Sequence, residues 1–122
     1  MKRFLAGMFA AAFFATTAVW AHGAGQPQHG GVVAAASELE YELVANPGLL
    51  QLYVRDHGKP VDVSKASAKL ILLAGSEKQE VELKPTGDRL EASGTFNTAV
   101  GAKAVAVINV GGKPFTVRFT LK

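Results

Sequence analysis

FTVRFTLK, residues 115–122, alternates apolar and polar side chains at every position. Successive side chains of an extended chain point to opposite faces, so one face of this stretch is apolar and the other is polar. That pattern is typical of a β-strand with one face in a core and the other in water. The stretch therefore predicts a half-buried strand, and the same period governs much of the preceding chain.

The alternation recurs in ELEYEL (38–43), LQLYVR (50–55) and QEVELK (79–84). These patterns predict strands over 38–45, over 49–55 and around 79–84. KLILLA (69–74) and AVAVINV (104–110) are apolar at nearly every position, which predicts strands that are buried more fully, in the middle of a sheet. No stretch carries a helical stripe of useful length. DVSKASAKL (62–70) is the weak candidate for one, and we expect a loop that enters a strand there.

Turn residues separate these stretches: Asn46-Pro47-Gly48, Asp56 to Pro60, Pro85 to Asp88, and Gly111-Gly112. The Gly-Gly pair predicts a two-residue hairpin loop, because glycine adopts the positive φ that primed turns need. Seven or eight short strands at this spacing predict an all-β fold, a small antiparallel β-sandwich of immunoglobulin-like type. A small closed barrel is the alternative. We expect Phe96, Phe115 and Phe119 to be the large aromatic residues of the core.

Residues 1–21 carry the features of a secretory signal peptide. Lys2 and Arg3 precede an uncharged run from Phe4 to Val19, and Val19-Trp20-Ala21 suits a cleavage site. A transmembrane anchor is the alternative, but the run is at the short edge of a bilayer span. The predicted organisation is therefore signal peptide 1–21, flexible His/Gly/Pro lead-in 22–31 and β-sandwich domain 32–122. The expected compartment is the periplasm, with no membrane attachment after cleavage.

Cleavage after residue 21 would leave 101 of the 122 residues, enough for one small domain. It would also remove two cations, so that 11 Lys and Arg face 10 acidic residues and the net charge falls to about +1. No basic cluster interleaved with aromatic residues occurs, which excludes nucleic acid as an expected partner. The solvated Lys- and Glu-rich faces favour a monomer. The chain has no cysteine, so disulfides, thiolate metal ligands and a Cys nucleophile are excluded.

We predict that the protein is not an enzyme. Ser, His and Asp occur, but none of them lies in a strand-to-helix elbow. No glycine-rich loop has phosphate-binding spacing. Glu40 and Glu42 fall on the outer face of a predicted strand, where solvated charge is the ordinary state of a carboxylate.

The three histidines are the candidate metal ligands: His22, His29 and His57. If cleavage follows Ala21, His22 begins the mature chain, and its α-amine and ring Nδ1 can chelate one ion together. An imidazole from His29 would add a third nitrogen. Such ligands suit Cu(II), Zn(II) and Ni(II), and Cu(II) binds most tightly in the usual divalent order.

Competing interpretations of these histidines remain. Exposed histidines in a Gly/Pro/Gln segment are commonly inert, and cleavage two residues later would remove His22. His57 lies between Asp56 and Gly58, which favours a turn residue over a ligand, unless the lead-in folds back onto that loop.

HGG (29–31), YELV (41–44), LYVRDHGKPVD (52–62) and VELKPTGDRLEASGTF (81–96) form a string that resembles one group of proteins. These are the small periplasmic β-proteins that accompany heavy-metal resistance systems. A similar module lies near the start of some periplasmic adaptor subunits of resistance-nodulation-division heavy-metal efflux pumps. The resemblance implies a stand-alone periplasmic module that handles a transition metal. The resemblance implies that His29 and, more weakly, His57 are motif residues of this group, but it does not include His22. The chain lacks the coiled-coil hairpin and lipoyl-like parts of an adaptor, and also a methionine-rich copper motif.

Two functions are therefore expected from different classes. The first is a periplasmic accessory protein that binds or buffers a divalent transition metal, with copper favoured, and serves an efflux system. The second is a non-enzymatic module that docks onto an efflux adaptor or another periplasmic partner without metal. A third, less favoured function is that of a purely structural accessory protein that binds no ligand.

Overall fold

A computed structural model describes residues 25–122 as nine antiparallel strands. The strands are β1 Val32–Ala36, β2 Leu39–Asn46, β3 Leu49–Asp56, β4 Lys59–Pro60, β5 Ser67–Ala74, β6 Glu77–Thr86, β7 Arg89–Ser93, β8 Lys103–Val110 and β9 Lys113–Thr120. The predicted signal peptide and His22 lie outside the described residues. Residues 25–122 contain no helix that could span a membrane.

The strands form one sheet in the order β1-β2-β3-β7-β6-β5-β8-β9, with β4 paired to β3. β6 joins the two halves, since its first part pairs with β5 and residues 84–86 pair with β7. β1 packs beside β9, so the sheet nearly closes on itself. The all-β prediction is confirmed. The arrangement is barrel-like, nearer to the predicted alternative than to two separate immunoglobulin-like layers, because β6 continues from one half into the other.

Each of the predicted strands is present, and the predicted loop at the start of DVSKASAKL leads into β5. KLILLA and AVAVINV do form central strands, but the expectation of fuller burial is wrong. β5 and β8 bury alternate residues only, because nothing among residues 25–122 covers their outer face.

The core fills the space inside the curved sheet with aliphatic side chains and one fully buried aromatic residue, Tyr41. Phe119 belongs to this core as predicted. Phe96 packs against its margin and Phe115 is half-buried, so these two are less central than expected. The largest fully buried apolar side chains are Tyr41, Leu43, Leu50, Leu52, Leu70, Leu72, Leu83, Leu90 and Ile108.

Two-residue turns close several hairpins. Gly111 and Gly112 have φ of 75° and 93°, as predicted for the β8–β9 connection. His57 and Gly58 connect β3 to β4 with φ of 53° and 83°, which confirms His57 as a turn residue. Ser37 and Glu38 form the β1–β2 turn with φ of 51° and 68°, without the glycine or asparagine such turns favour.

Candidate functional site

The outer face of β2 and β3 carries charged and aromatic residues. Tyr41 and Leu43 point into the core, so Glu40 and Glu42 point outward. Across the strand pair, Glu40 lies opposite Arg55 and Glu42 lies opposite Tyr53. Residues 25–31 lie over this face and contact it through hydrogen bonds.

The Glu42 carboxylate is the centre of these contacts. Its Oε1 accepts hydrogen bonds from the backbone N–H of Gln28 at 3.0 Å and from Nη1 of Arg55 at 2.7 Å. Its Oε2 accepts from the backbone N–H groups of His29 and Gly31, each at 2.9 Å. We call these three N–H groups and Arg55, together with Glu42, the Glu42 clamp.

The two glycines that follow His29 make the clamp possible. Gly30 has φ of 77°, a conformation that residues with a side chain rarely adopt. A Cβ at Gly31 would collide with the backbone carbonyl oxygen of Leu43, so only glycine lets the segment approach β2 this closely. The His-Gly-Gly sequence is therefore a backbone device that turns N–H groups toward a carboxylate, similar to the nests that bind anions in other proteins.

The Glu42 clamp overturns the prediction of a solvated carboxylate at this position. Glu42 is 0% exposed and Arg55 is 3% exposed, and together they form a buried ion pair. Burial alone would raise the pKa of the Glu42 carboxyl. The hydrogen bonds from Arg55 and from the three backbone N–H groups outweigh burial and lower that pKa to about 2. Glu42 is therefore an anion at any pH above that range.

Arg55 extends the clamp toward the beginning of the described chain. Its Nη2 donates to the carbonyl oxygen of Gln26 at 3.3 Å, and its Nε lies 3.6 Å from Oε1 of Glu40. The other oxygen of Glu40 accepts a hydrogen bond from the backbone N–H of Gly25 at 2.9 Å. Two carboxylates and one guanidinium therefore hold both ends of the segment 25–31 against the sheet.

The clamp also fixes the position of the His29 ring. With its backbone N–H on Glu42, His29 lies over Tyr53, the residue opposite Glu42. The two rings are stacked with centroids 3.6 Å apart and planes 10° from parallel. His29 is otherwise exposed, so its ring nitrogens are open to solvent ligands. Desolvation raises the pKa of the Tyr53 hydroxyl, which keeps Tyr53 a neutral platform.

The Tyr53 platform is bordered on β7 by a small polar network. Nε of Arg89 donates to Oε1 of Glu91 at 3.0 Å, and Nε2 of Gln51 donates to the same oxygen at 3.2 Å. Nη1 of Arg89 donates to Asp88 at 3.1 Å. The hydrogen bonds from Gln51 and Arg89 lower the pKa of the Glu91 carboxyl. Arg89 is therefore paired with both Glu91 and Asp88.

His57 lies apart from His29, in the β3–β4 turn. Its side chain is 86% exposed, and its Nδ1 lies 2.6 Å from Oδ1 of Asp56. Three residues, 54–56, lie between it and Tyr53. No hydrogen bond, ion pair or ring stacking joins His57 to His29 among residues 25–122.

Among residues 25–122, no group of three or more His, Asp or Glu side chains is arranged to hold a metal ion. His29 is a single, positioned imidazole, and any metal bound there needs further donors. Sequence analysis singled out His29 but missed Glu42, Arg55 and Tyr53. The available signal was an Arg on the predicted strand that follows the acidic one, where Arg55 comes into register with Glu40.

Comparisons of this chain with protein-family models, with curated proteins and with solved structures found no match.

Proposed function

We propose that this protein is a periplasmic accessory protein that binds a divalent transition metal, with Cu(II) favoured, and buffers or delivers it for an efflux system. The observation that supports this proposal is the held position of His29. Its backbone is bound by Glu42 and its ring is stacked on Tyr53, while the residue as a whole stays exposed. A ligand held in advance loses little conformational freedom when the metal binds, and this favours affinity.

The proposed second ligand is His22, through its ring and, in a mature chain that starts there, its α-amine. Gly25 is held on Glu40, three residues after His22. Three residues of chain reach at most about 11 Å. A position next to the His29 ring is therefore compatible with the length of the chain. A set of two imidazoles and one amine suits Cu(II) better than Zn(II) or Ni(II) in the usual affinity order.

The test begins with the exported precursor. The intact mass of the mature protein gives its first residue, and calorimetric titration with Cu(II) gives the dissociation constant. We expect a start at His22 and one saturable site. His29→Ala and His22→Ala each remove a direct ligand and should weaken Cu(II) binding about tenfold or more, since even the loss of a residue that only orients a ligand has an effect of that size.

His57→Asn is the comparison variant, because asparagine also tolerates the left-handed turn conformation. The proposed pair of ligands predicts an unchanged dissociation constant for it. A mature chain that begins after His22, or a Cu(II) affinity that His29→Ala leaves unchanged, would refute the proposal. Growth of a deletion strain under copper stress then tests the link to efflux.

A further inference from the structure

The outer face of β5 and β8 carries a group of apolar side chains with no cover among residues 25–122. Ile71 on β5 lies opposite Val105 on β8, Leu73 and Val107 each lie one row away opposite a lysine, and the inner faces of the same strands are in the core. Leu73 and Val107 are each 38% exposed. We call these four residues the β5–β8 patch.

The sequences of β5 and β8 are apolar at nearly every position. A strand with one face in solvent ordinarily alternates apolar and polar residues, as β9 does. β5 and β8 have the composition of strands covered on both sides, while residues 25–122 cover one side only. A second protein surface against the patch would account for the difference.

The charges around the patch indicate what that surface is. One row of side chains crosses four strands in register, from Glu80 on β6 through Ile71 and Val105 to Arg118 on β9. The row is acidic at one end, apolar in the middle and basic at the other end. A twofold rotation about an axis parallel to the strands reverses such a row, and the reversed row is complementary to the original.

We propose that the β5–β8 patch is the interface of a homodimer in which two copies pack face to face about that axis. Glu80 then meets Arg118 of the partner subunit, and Ile71 packs on Val105 of the partner subunit. The same rotation places Leu73 over Lys103 of the partner subunit, whose aliphatic stem suits an apolar neighbour. This proposal is independent of metal binding.

The three lysines near the patch each have a polar neighbour within the same copy. Nζ of Lys78 lies 3.7 Å from Oε2 of Glu80, Lys69 is in register with Glu82, and Lys103 donates to Oγ1 of Thr120 at 3.1 Å. Arg118 is exposed and has no acidic partner within 4.0 Å in the described part of the chain. Arg118 is therefore the cation left to pair between copies.

The area of the outer face that includes the patch and the flanking strands β6 and β9 predicts a weak dimer. Four strands about 4.8 Å apart and three side-chain rows about 6.7 Å apart give a footprint on the order of 400 Å² on each copy. The total of about 800 Å² for the two copies is below the range of stable specific interfaces and within that of weak, transient complexes. We therefore expect dissociation in the range of tens to hundreds of micromolar.

Sedimentation equilibrium of the mature protein tests the proposal. Concentrations from about 10 µM to about 1 mM span the expected dissociation constant. Glu80→Arg and Arg118→Glu should each raise the dimer dissociation constant about tenfold or more, because each places like charges opposite one another. The double variant exchanges the charges and should recover dimerisation. Lys59→Glu, an equal change of charge in the distant strand β4, is the control and should leave the constant unchanged.

All the changed side chains are exposed, so we expect each variant to fold. Circular dichroism of each variant checks this. A wild-type protein that stays monomeric at the highest concentration overturns the proposal and leaves the patch to a different partner. A dimer that the single variants do not weaken, or that the double variant does not recover, also overturns it.

Discussion

The Glu42 clamp predicts how the stability of this protein depends on acid. The perturbation is Glu42→Gln, which keeps the shape of the side chain and removes its charge. Glutamine can accept fewer of the four hydrogen bonds, and it leaves the buried Arg55 without its closest anion. Removal of one partner of a buried ion pair is ordinarily far more destabilising than removal of an exposed charge.

The size of the effect follows from the pKa of the Glu42 carboxyl. It is about 2 in the folded protein, against a usual value of 4.5. Each unit is equivalent to about 1.4 kcal/mol, so the ionised carboxylate adds about 3 kcal/mol to the free energy of unfolding. Because the folded pKa is the lower one, this contribution is present above pH 4.5 and is lost as the pH falls toward 2.

Urea unfolding of both proteins between pH 7 and pH 2 measures the difference. We expect Glu42→Gln to be about 3 kcal/mol less stable at pH 7 and nearly equal to the wild type at the acid end. Glu82→Gln, at an exposed carboxylate, should stay within about 0.5 kcal/mol of the wild type throughout. A Glu42→Gln deficit that is constant with pH, or smaller than 1 kcal/mol at about pH 7, would show that the clamp does not hold an ionised Glu42.

Three further changes test single features of the fold by the same unfolding measurement. Gly31→Ala should cost about 2 kcal/mol or more, because its Cβ collides with the Leu43 carbonyl, whereas Gly48→Ala meets only one atom, at 3.9 Å, and should cost little; equal effects would contradict the close approach at Gly31. Tyr41→Phe should leave stability unchanged or raise it by about 1 kcal/mol, because the buried Tyr41 hydroxyl has no hydrogen-bond partner among the described residues; a clear loss would mean that the hydroxyl is bonded. Glu38→Gly should raise stability by about 1 kcal/mol, because glycine adopts the Glu38 φ of 68° without strain; a loss would show that the β1–β2 turn gains from its side chain.

Much of the fold could be predicted from sequence because the alternation of side chains is a local signal. The apolar residues that bury in β2, β3 and β9 are those that the period of two indicates, whereas Glu42 and Arg55 bury out of phase with it. The path of the sheet is not local. β6 pairs with β5 at one end and with β7 at the other, and no pattern within the strand shows that change of partner. A sandwich and a nearly closed barrel therefore give the same alternation.

The candidate site was harder to predict because its chemistry depends on which residues cover the strand. The period of two places Glu42 outside the core, and the prediction of solvated charge followed from that alone. Residues 25–31 lie over Glu42 and exclude water, a contact across eleven to fourteen positions of sequence. His29 was found from its residue type, but the stacking on Tyr53 required the path of the segment.

The two roles of the His-Gly-Gly sequence can be separated, since the clamp uses the backbone of His29 and the proposed metal site uses its ring. His29→Ala removes the imidazole and keeps the N–H that Glu42 accepts. Glu42→Gln does the reverse, because the imidazole remains while its support weakens. If His29 binds Cu(II) as a positioned ligand, both variants lose affinity, and only the second loses substantial stability. If the histidine is incidental, neither variant changes Cu(II) binding, while the stability loss of Glu42→Gln persists.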